Sequence, residues 1–297
     1  MKKLLKLTVY PIGVFLLPVL GVISQYGCNL NSNARVPVTK TAVELTTAAT
    51  KAPVAVSGPE PTRADAATIL ARPQVPILCY HQIRNYRGND SRTSRDYIVP
   101  PQSFAAQMQS LADSGYHAIL PDQLYDYLTL GAPLPSNPVM ITFDDTREDQ
   151  FSAALPELNK HGFKGVFFIM TVALNKPGYM TKEEVKQLSD EGHTIGSHTY
   201  DHKNVKTYSI DDWVDQIQKP SQQLQSITNK PITYFAYPFG LWNKEAIAKL
   251  KDHEFKGVFQ LAAARDENDP LYSIRRIIVL GDWSGSSLQK IMKKSFK

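Results

Sequence analysis

The sequence predicts an α/β fold, a deformed or incomplete (β/α) barrel of parallel strands over residues 74–297, preceded by a signal segment and a flexible linker. From about Gln74 onward, short apolar runs alternate with amphipathic stretches, the pattern of strands joined by crossover helices. Three of the apolar runs end directly in polar residues, as strands do at the face of such folds where loops carry the chemistry. A complete eight-fold barrel usually needs about 250 residues and roughly 220 remain here, so a distorted or unclosed barrel is expected.

Taken in order, the apolar runs at 75–81, 139–143, 165–170, 193–197, 233–237, 257–261 and 274–279 read as strands. Helices are expected between them at 101–115, 121–130, 148–161, 181–191, 210–228 and 244–253. Two of these have evident starts: Thr181 precedes Glu183 and Glu184, and Asn243 precedes Lys244 and Glu245. Upstream, residues 29–73 are rich in Thr, Ala, Pro, Ser and Val and almost devoid of aromatic side chains. Such a stretch buries too little surface to offset its ordering entropy, so it reads as a tether.

Residues 1–28 have the layout of a signal peptide or membrane anchor: Lys2, Lys3 and Lys6 precede an almost uncharged stretch from 7 to 23. The expectation is an exported protein of the cell envelope or the extracellular space. Membrane contact is expected only through this segment or through a lipid on Cys28, which follows Gly27. The formal charge of +5 is concentrated in those three lysines and in Lys290, Lys293, Lys294 and Lys297 at the other end. The rest is close to neutral, which argues against a nucleic-acid partner. A hydrophobic content of 42% with 21% charged residues fits an ordinary globular domain, expected to be a monomer. Two cysteines make no disulfide framework, and Cys79, inside the apolar run 75–80, reads as a small buried hydrophobe.

The chemistry-bearing residues fall at the strand ends. Asp144 and Asp145 follow the run 139–143, and His198 follows 194–197 with His202 four residues on. A helical turn would put the two imidazoles of a His-x-x-x-His pair on one face. Two imidazoles and one carboxylate can hold a divalent ion, and the second carboxylate is then free to deprotonate water. Tyr237, Pro238 and Phe239 end the run 233–237 and point to the same face, where aromatic rings suit a sugar. Two imidazoles and a carboxylate accept Zn2+, Co2+, Ni2+ or Fe2+.

The segments Thr142-Phe143-Asp144-Asp145, Gly196-Ser197-His198-Thr199-Tyr200-Asp201-His202 and Ala236-Tyr237-Pro238-Phe239-Gly240 resemble three successive motifs of the polysaccharide deacetylase (NodB-homology) domain of carbohydrate esterase family 4. The resemblance runs from about Gln74 to Val279. It implies a deformed (β/α) barrel, one divalent metal, most often zinc, and removal of acetyl groups from N-acetylglucosamine polymers or acetylated sugars. By position, Asp144 resembles the general base, and Asp145, His198 and His202 resemble the metal ligands. The backbone N–H of Tyr237 resembles the oxyanion donor. The chain departs from the common form in two places. Ala236 stands where an arginine usually orients the base, and no histidine follows Val279. The opening Tyr80-His81-Gln82-Ile83 instead resembles the poly-N-acetylglucosamine deacetylase branch, which implies that His81 is the catalytic acid. Arg276 is the candidate to replace the missing arginine beside Asp144.

The expected function is therefore an exported, metal-dependent hydrolase of amide bonds, removing N-acetyl groups from an N-acetylglucosamine-containing polysaccharide. Poly-N-acetylglucosamine, a chitin-like polymer and peptidoglycan all fit. An O-acetyl esterase acting on xylan or another glycan, and a non-catalytic glycan-binding module of the same fold, are the alternatives.

Overall fold

The computed structural model describes residues 62–297; the expected signal segment and most of the expected linker lie outside the described residues. The strands are β1 (Ile77–Tyr80), β2 (His117–Ala118), β3 (Pro138–Phe143), β4 (Val166–Ile169), β5 (Thr194–Ser197), β6 (Tyr234–Ala236), β7 (Gly257–Phe259) and β8 (Ile277–Ile278). They form one curled parallel sheet in the order β7-β6-β5-β4-β3-β1-β8, with β2 paired to the start of β3. The seven runs read as strands each contain one of these; β2, two residues long, gave no pattern to read.

The segment before β8 spans the two edges of the curl. Ile274 exchanges hydrogen bonds with β7, donating to Val258 O (2.9 Å) and accepting from Gln260 N (2.8 Å). Three residues later Ile277 and Ile278 pair with Leu78 and Cys79 of β1. Arg276 lies in this seam, fully buried.

Strand side chains alternate between two faces because the backbone is pleated. One set, including Ile77, Met140, Phe168, Tyr234 and Phe259, packs with Ile69, Leu124 and Leu128 of the helices Ala66–Ala71 and Pro121–Leu130. The other set, including Leu78, Ile141, Phe167 and Phe235, packs against Met108, Leu158, Leu188, Leu224 and Leu250 of the surrounding helices. Space around Phe168 is tight enough to dictate Gly196. A Cβ there would lie 2.6 Å from the Phe168 ring and 3.0 Å from the Tyr234 carbonyl.

The expected helices all form, but two are not continuous. In 148–161 a wide π turn, Gln150–Ala154, precedes the α-helix Leu155–Lys160. In 210–228 another, Trp213–Gln218, precedes Lys219–Thr228. Both π turns end just before a proline, Pro156 and Pro220, whose ring displaces the carbonyl four residues back and leaves it without a donor. Helices Ala66–Ala71 and Gly285–Ser295 were not signalled by the sequence. The first corrects the linker boundary. Asp65 caps it, Ile69 is buried, and Ala64 N donates to Thr129 O at 2.7 Å, so the ordered domain begins before residue 73.

His193, just before β5, is a buried structural histidine. Its Nδ1 accepts from Gly165 N (2.9 Å) and its ring meets Phe167 edge-on. Burial, assisted by the Lys164 cation, holds its pKa down to about 4 from an ordinary 6.5. The unfolded chain therefore takes up this proton first. The stability the neutral ring provides is intact above pH 6.5 and is lost as pH falls through 4. Urea unfolding midpoints should fall over that window, and His193→Asn, whose Oδ1 retains the acceptor, should flatten the decline relative to wild type. An identical pH profile in the variant would contradict the assignment.

Candidate metal and catalytic site

The C-terminal ends of β1, β3, β5 and β6 deliver the expected residues to one cavity of about 340 Å³, lined by His81, Asp144, Asp145, His198, His202, Tyr237 and Phe239 among others. Pro238 is buried and stands back from it.

Asp145 Oδ1 lies 3.5 Å from His198 Nε2 and 3.6 Å from His202 Nε2. The two rings are 4.9 Å apart and steeply inclined. The pair is not carried by a helical turn, as the spacing suggested. Residues 199–201 form an open turn in which Thr199 and His202 take positive φ (70° and 69°). Asp145 also has positive φ (75°). Strained backbone at three neighbouring positions is the cost of aiming these side chains at one point. Gln216 Oε1 steadies the turn by accepting from Tyr200 N and Asp201 N.

These residues suit a cation. The hydrogen bond between His198 Nδ1 and Ala236 O (2.7 Å) places that ring's proton on Nδ1, leaving the Nε2 lone pair towards Asp145. Asp145 Oδ1 is buried without a hydrogen-bond donor. Electron-pair donors thus converge at a spacing close to the roughly 3.3 Å expected around a tetrahedral ion with ~2.0 Å bonds. The electrostatics agree. Burial lowers the affinity of His198 for a proton, yet Asp144 and Asp145 together raise its pKa above the ordinary value. Burial also disfavours the Asp145 carboxylate, but its contact with His198 holds its pKa well below the usual range. The two carboxylates demand positive charge at this spot. His202, by contrast, is held neutral, its pKa brought down to about 4 by burial and by His198.

Asp144 is the more buried carboxylate; its Oδ2 lies 3.9 Å from His198 Nε2, beside the triad. Arg276 grips it with two parallel bonds, Nη1 to Oδ1 and Nη2 to Oδ2, both 2.7 Å. Arg276 Nη1 also bonds Thr142 Oγ1 (3.0 Å) and its Nε bonds Gln260 O (3.0 Å). An arginine from the seam thus fixes both oxygens of Asp144. Burial alone would raise the Asp144 pKa, but Arg276, followed by His198, brings it down to about 2, so the group is ionised throughout the neutral range. The Cys79 thiol, which reads in the sequence as a plain hydrophobe, lies 3.6 Å from Asp144 Oδ2 and donates to it. Gln150, at the start of the π turn, donates to the backbone carbonyls of Asp144 and His81 and ties their loops together.

His81 lines the cavity with one ring nitrogen within 4.8 Å of an Asp144 oxygen. Its Nδ1 is buried without a partner. Burial lowers its pKa, against the pull of Asp145 and Asp144, so the resting imidazole is neutral. Tyr97 stands edge-on against it at 4.9 Å, positioned by the bonds Gln82 N to Tyr97 O and Val99 N to Gln82 O. Nothing in the segment 84–98 signalled Tyr97 as a wall of the site.

One expectation needs correction. The Tyr237 N–H donates to Phe259 O at 2.9 Å in the ladder between β6 and β7, so it is already engaged and does not face the cavity as an oxyanion donor. Its hydroxyl donates to Tyr272 O. Phe239, with φ 60° and 58% of its surface exposed, is the aromatic wall, packed at 4.4 Å against His202.

Residues 131–258 match the family described as polysaccharide deacetylase. YxkH of Bacillus subtilis, whose name places it provisionally among the polysaccharide deacetylases, is 28% identical over 215 residues, covering 72% of this chain and 74% of that protein. A poly-β-1,6-N-acetyl-D-glucosamine N-deacetylase of Staphylococcus aureus is 25% identical over 230 residues, covering 69% and 78%. The fold is shared with the Streptococcus pyogenes deacetylase PplD, solved with acetate, at a TM-score of 0.67 and 24% identity over 76% of this chain and the whole of that one.

Proposed function

This chain carries a polysaccharide deacetylase domain of carbohydrate esterase family 4, a hydrolase of N-acetyl amide bonds, and from that premise we propose an exported enzyme that deacetylates an N-acetylglucosamine-containing polysaccharide with the help of one Zn2+ ion. The observation that carries the reading is the convergence of Asp145, His198 and His202 beside an Asp144 that Arg276 holds apart from them.

Asp145, His198 and His202 would hold the ion, which when bound would supply Lewis acidity for the acetyl carbonyl and a lowered pKa, towards ~7, for water. Asp144 accepts the proton of the attacking water. Both its oxygens are fixed by Arg276, so it takes the proton in one orientation and is kept from joining the ligand set. Phe239 and Tyr97 flank the cavity and stack or abut the sugar, excluding bulk water. An amine leaves only when protonated, and His81 is the group placed to do it. Its resting imidazole is neutral, so it must first gain a proton, and the nearest source is the newly protonated Asp144, within 4.8 Å. The two groups then work as a relay: Asp144 takes the proton from water and His81 delivers it to nitrogen.

Acetate and free-amine release from N-acetylglucosamine oligomers tests the reading. His81→Ala should lower kcat on the amide by roughly 10²–10⁴-fold. An ester leaves as an alkoxide with less need of an acid, so activity confined to O-acetyl substrates and insensitive to His81→Ala would replace the proposal with an esterase. Export rests on the basic and apolar N-terminal layout, and recovery of the full chain in the cytosolic fraction would refute it.

A further inference from the structure

A second cavity, of about 310 Å³, adjoins the first on the far side of the ligand triad. Both are lined by Asp145 and His202, so a polymer bound in the first can extend past those two residues into the second. The second cavity differs in character. It is lined by the apolar Met170 and Val172 together with Arg147, Lys176, Tyr179 and Asp201.

Arg147 is built in place. Its backbone bridges that of Tyr179, and flanking bonds from Met180 N to Thr146 O (3.0 Å) and Glu148 N to Gly178 O (3.2 Å) fix the two strands of chain together. The guanidinium lies 4.6 Å over the Tyr179 ring, and its Nε is buried without a partner. Among the described residues neither Arg147 nor Lys176 joins an ion pair. A half-buried guanidinium stacked on an aromatic face, its donors unspent, presents the flat fork that matches a carboxylate.

Resting on the deacetylase reading above, we propose that this cavity is a subsite for an anionic substituent on the sugar next to the one being deacetylated, with Arg147 and Lys176 recognising a carboxylate such as a lactyl ether or uronate. A phosphate substituent would present the same charge. Two carboxylates also line this cavity: Asp145, which belongs to the ligand triad, and Asp201, which is exposed and opposes an anion that does not reach Arg147.

The metal-loaded full chain is assayed for acetate release on three oligosaccharides of equal length: an N-acetylglucosamine oligomer, one in which every second N-acetylglucosamine carries a 3-O-lactyl ether, and one in which every second residue carries a phosphate. The proposal expects kcat/KM at least ~10-fold higher on the carboxylate oligomer than on the neutral one, through KM, in line with a charge-assisted contact. Arg147→Gln should cut the carboxylate-to-neutral ratio by about the same factor, Arg147→Lys should restore it only in part, and Asp201→Asn should raise it. A higher ratio for the phosphate oligomer would identify phosphate as the source of the charge. A ratio near one, or a ratio untouched by Arg147→Gln, overturns the subsite while leaving the deacetylase reading intact. Should none of the three be hydrolysed, calorimetric titration of the carboxylate oligomer into Asp144→Asn and into the Asp144→Asn, Arg147→Gln double variant still decides. Binding weakened ~10-fold in the double variant supports the subsite, and equal or undetectable binding in both refutes it.

Discussion

Asp144→Asn should reduce kcat by roughly 10²–10⁴-fold, the range for loss of a positioned general base, with one equivalent of metal still bound. The substitution keeps the shape of the side chain and leaves Asp145, His198 and His202 untouched, so metal content separates the two carboxylates. It also breaks symmetry in the contact with Arg276. An amide offers one acceptor where the carboxylate offered two, and its NH2 meets an Nη donor 2.7 Å away. A fall in unfolding midpoint therefore accompanies the loss of turnover, and rates must be taken where the variant is fully folded. Turnover within threefold of wild type, metal present, would end the base assignment.

Arg276→Ala has the larger structural effect. Arg276 and Asp144 are both buried, and removing one partner of a buried ion pair costs about 3–5 kcal/mol, because the other charge stays behind without compensation. Urea unfolding reads this directly. Catalysis falls too, by ~10²-fold or more, since an unclamped carboxylate is free to drift by an ångström from its working position or to fall into the ligand set. Arg276→Lys keeps the charge and loses the two-pronged grip, so it should recover more of the stability than of kcat. A lysine variant with full kcat would show that charge alone suffices. An alanine variant as stable as wild type would show that the pair contributes nothing to folding.

The parts of the fold that were legible in the sequence are those where local pattern and tertiary role coincide. Runs such as Val139–Phe143 are buried on both faces, so they read as uninterrupted apolar segments, and their ends marked the catalytic face. The two residues of β2, His117 and Ala118, cannot show a period at all. Ala66–Ala71 hid inside an Ala- and Thr-rich stretch because composition reports average hydrophobicity, and a single buried Ile69 with a capping Asp65 was enough to dock it. Within the site, Asp144, Asp145, His198 and His202 were readable because each ends a strand. Cys79 was not, since its role depends on which strand lies beside it: β1 pairs with β3 in the register Cys79 to Thr142, which sets the thiol against Asp144 two residues on. The Tyr237 N–H failed for a related reason. Whether a strand-end N–H is free or spent in a ladder depends on how far the neighbouring strand runs, and β7 continues just far enough for Phe259 to claim it.

The seam between β7 and β8 has a temporal consequence. Synthesis releases a chain from its N-terminus, and the Asp144 loop is complete more than a hundred residues before Arg276 emerges. Until then Asp144 lacks the partner that grips both its oxygens. The last strand both closes the curl and brings Arg276 to Asp144. A chain stalled or clipped short of it would keep Asp144 without its clamp.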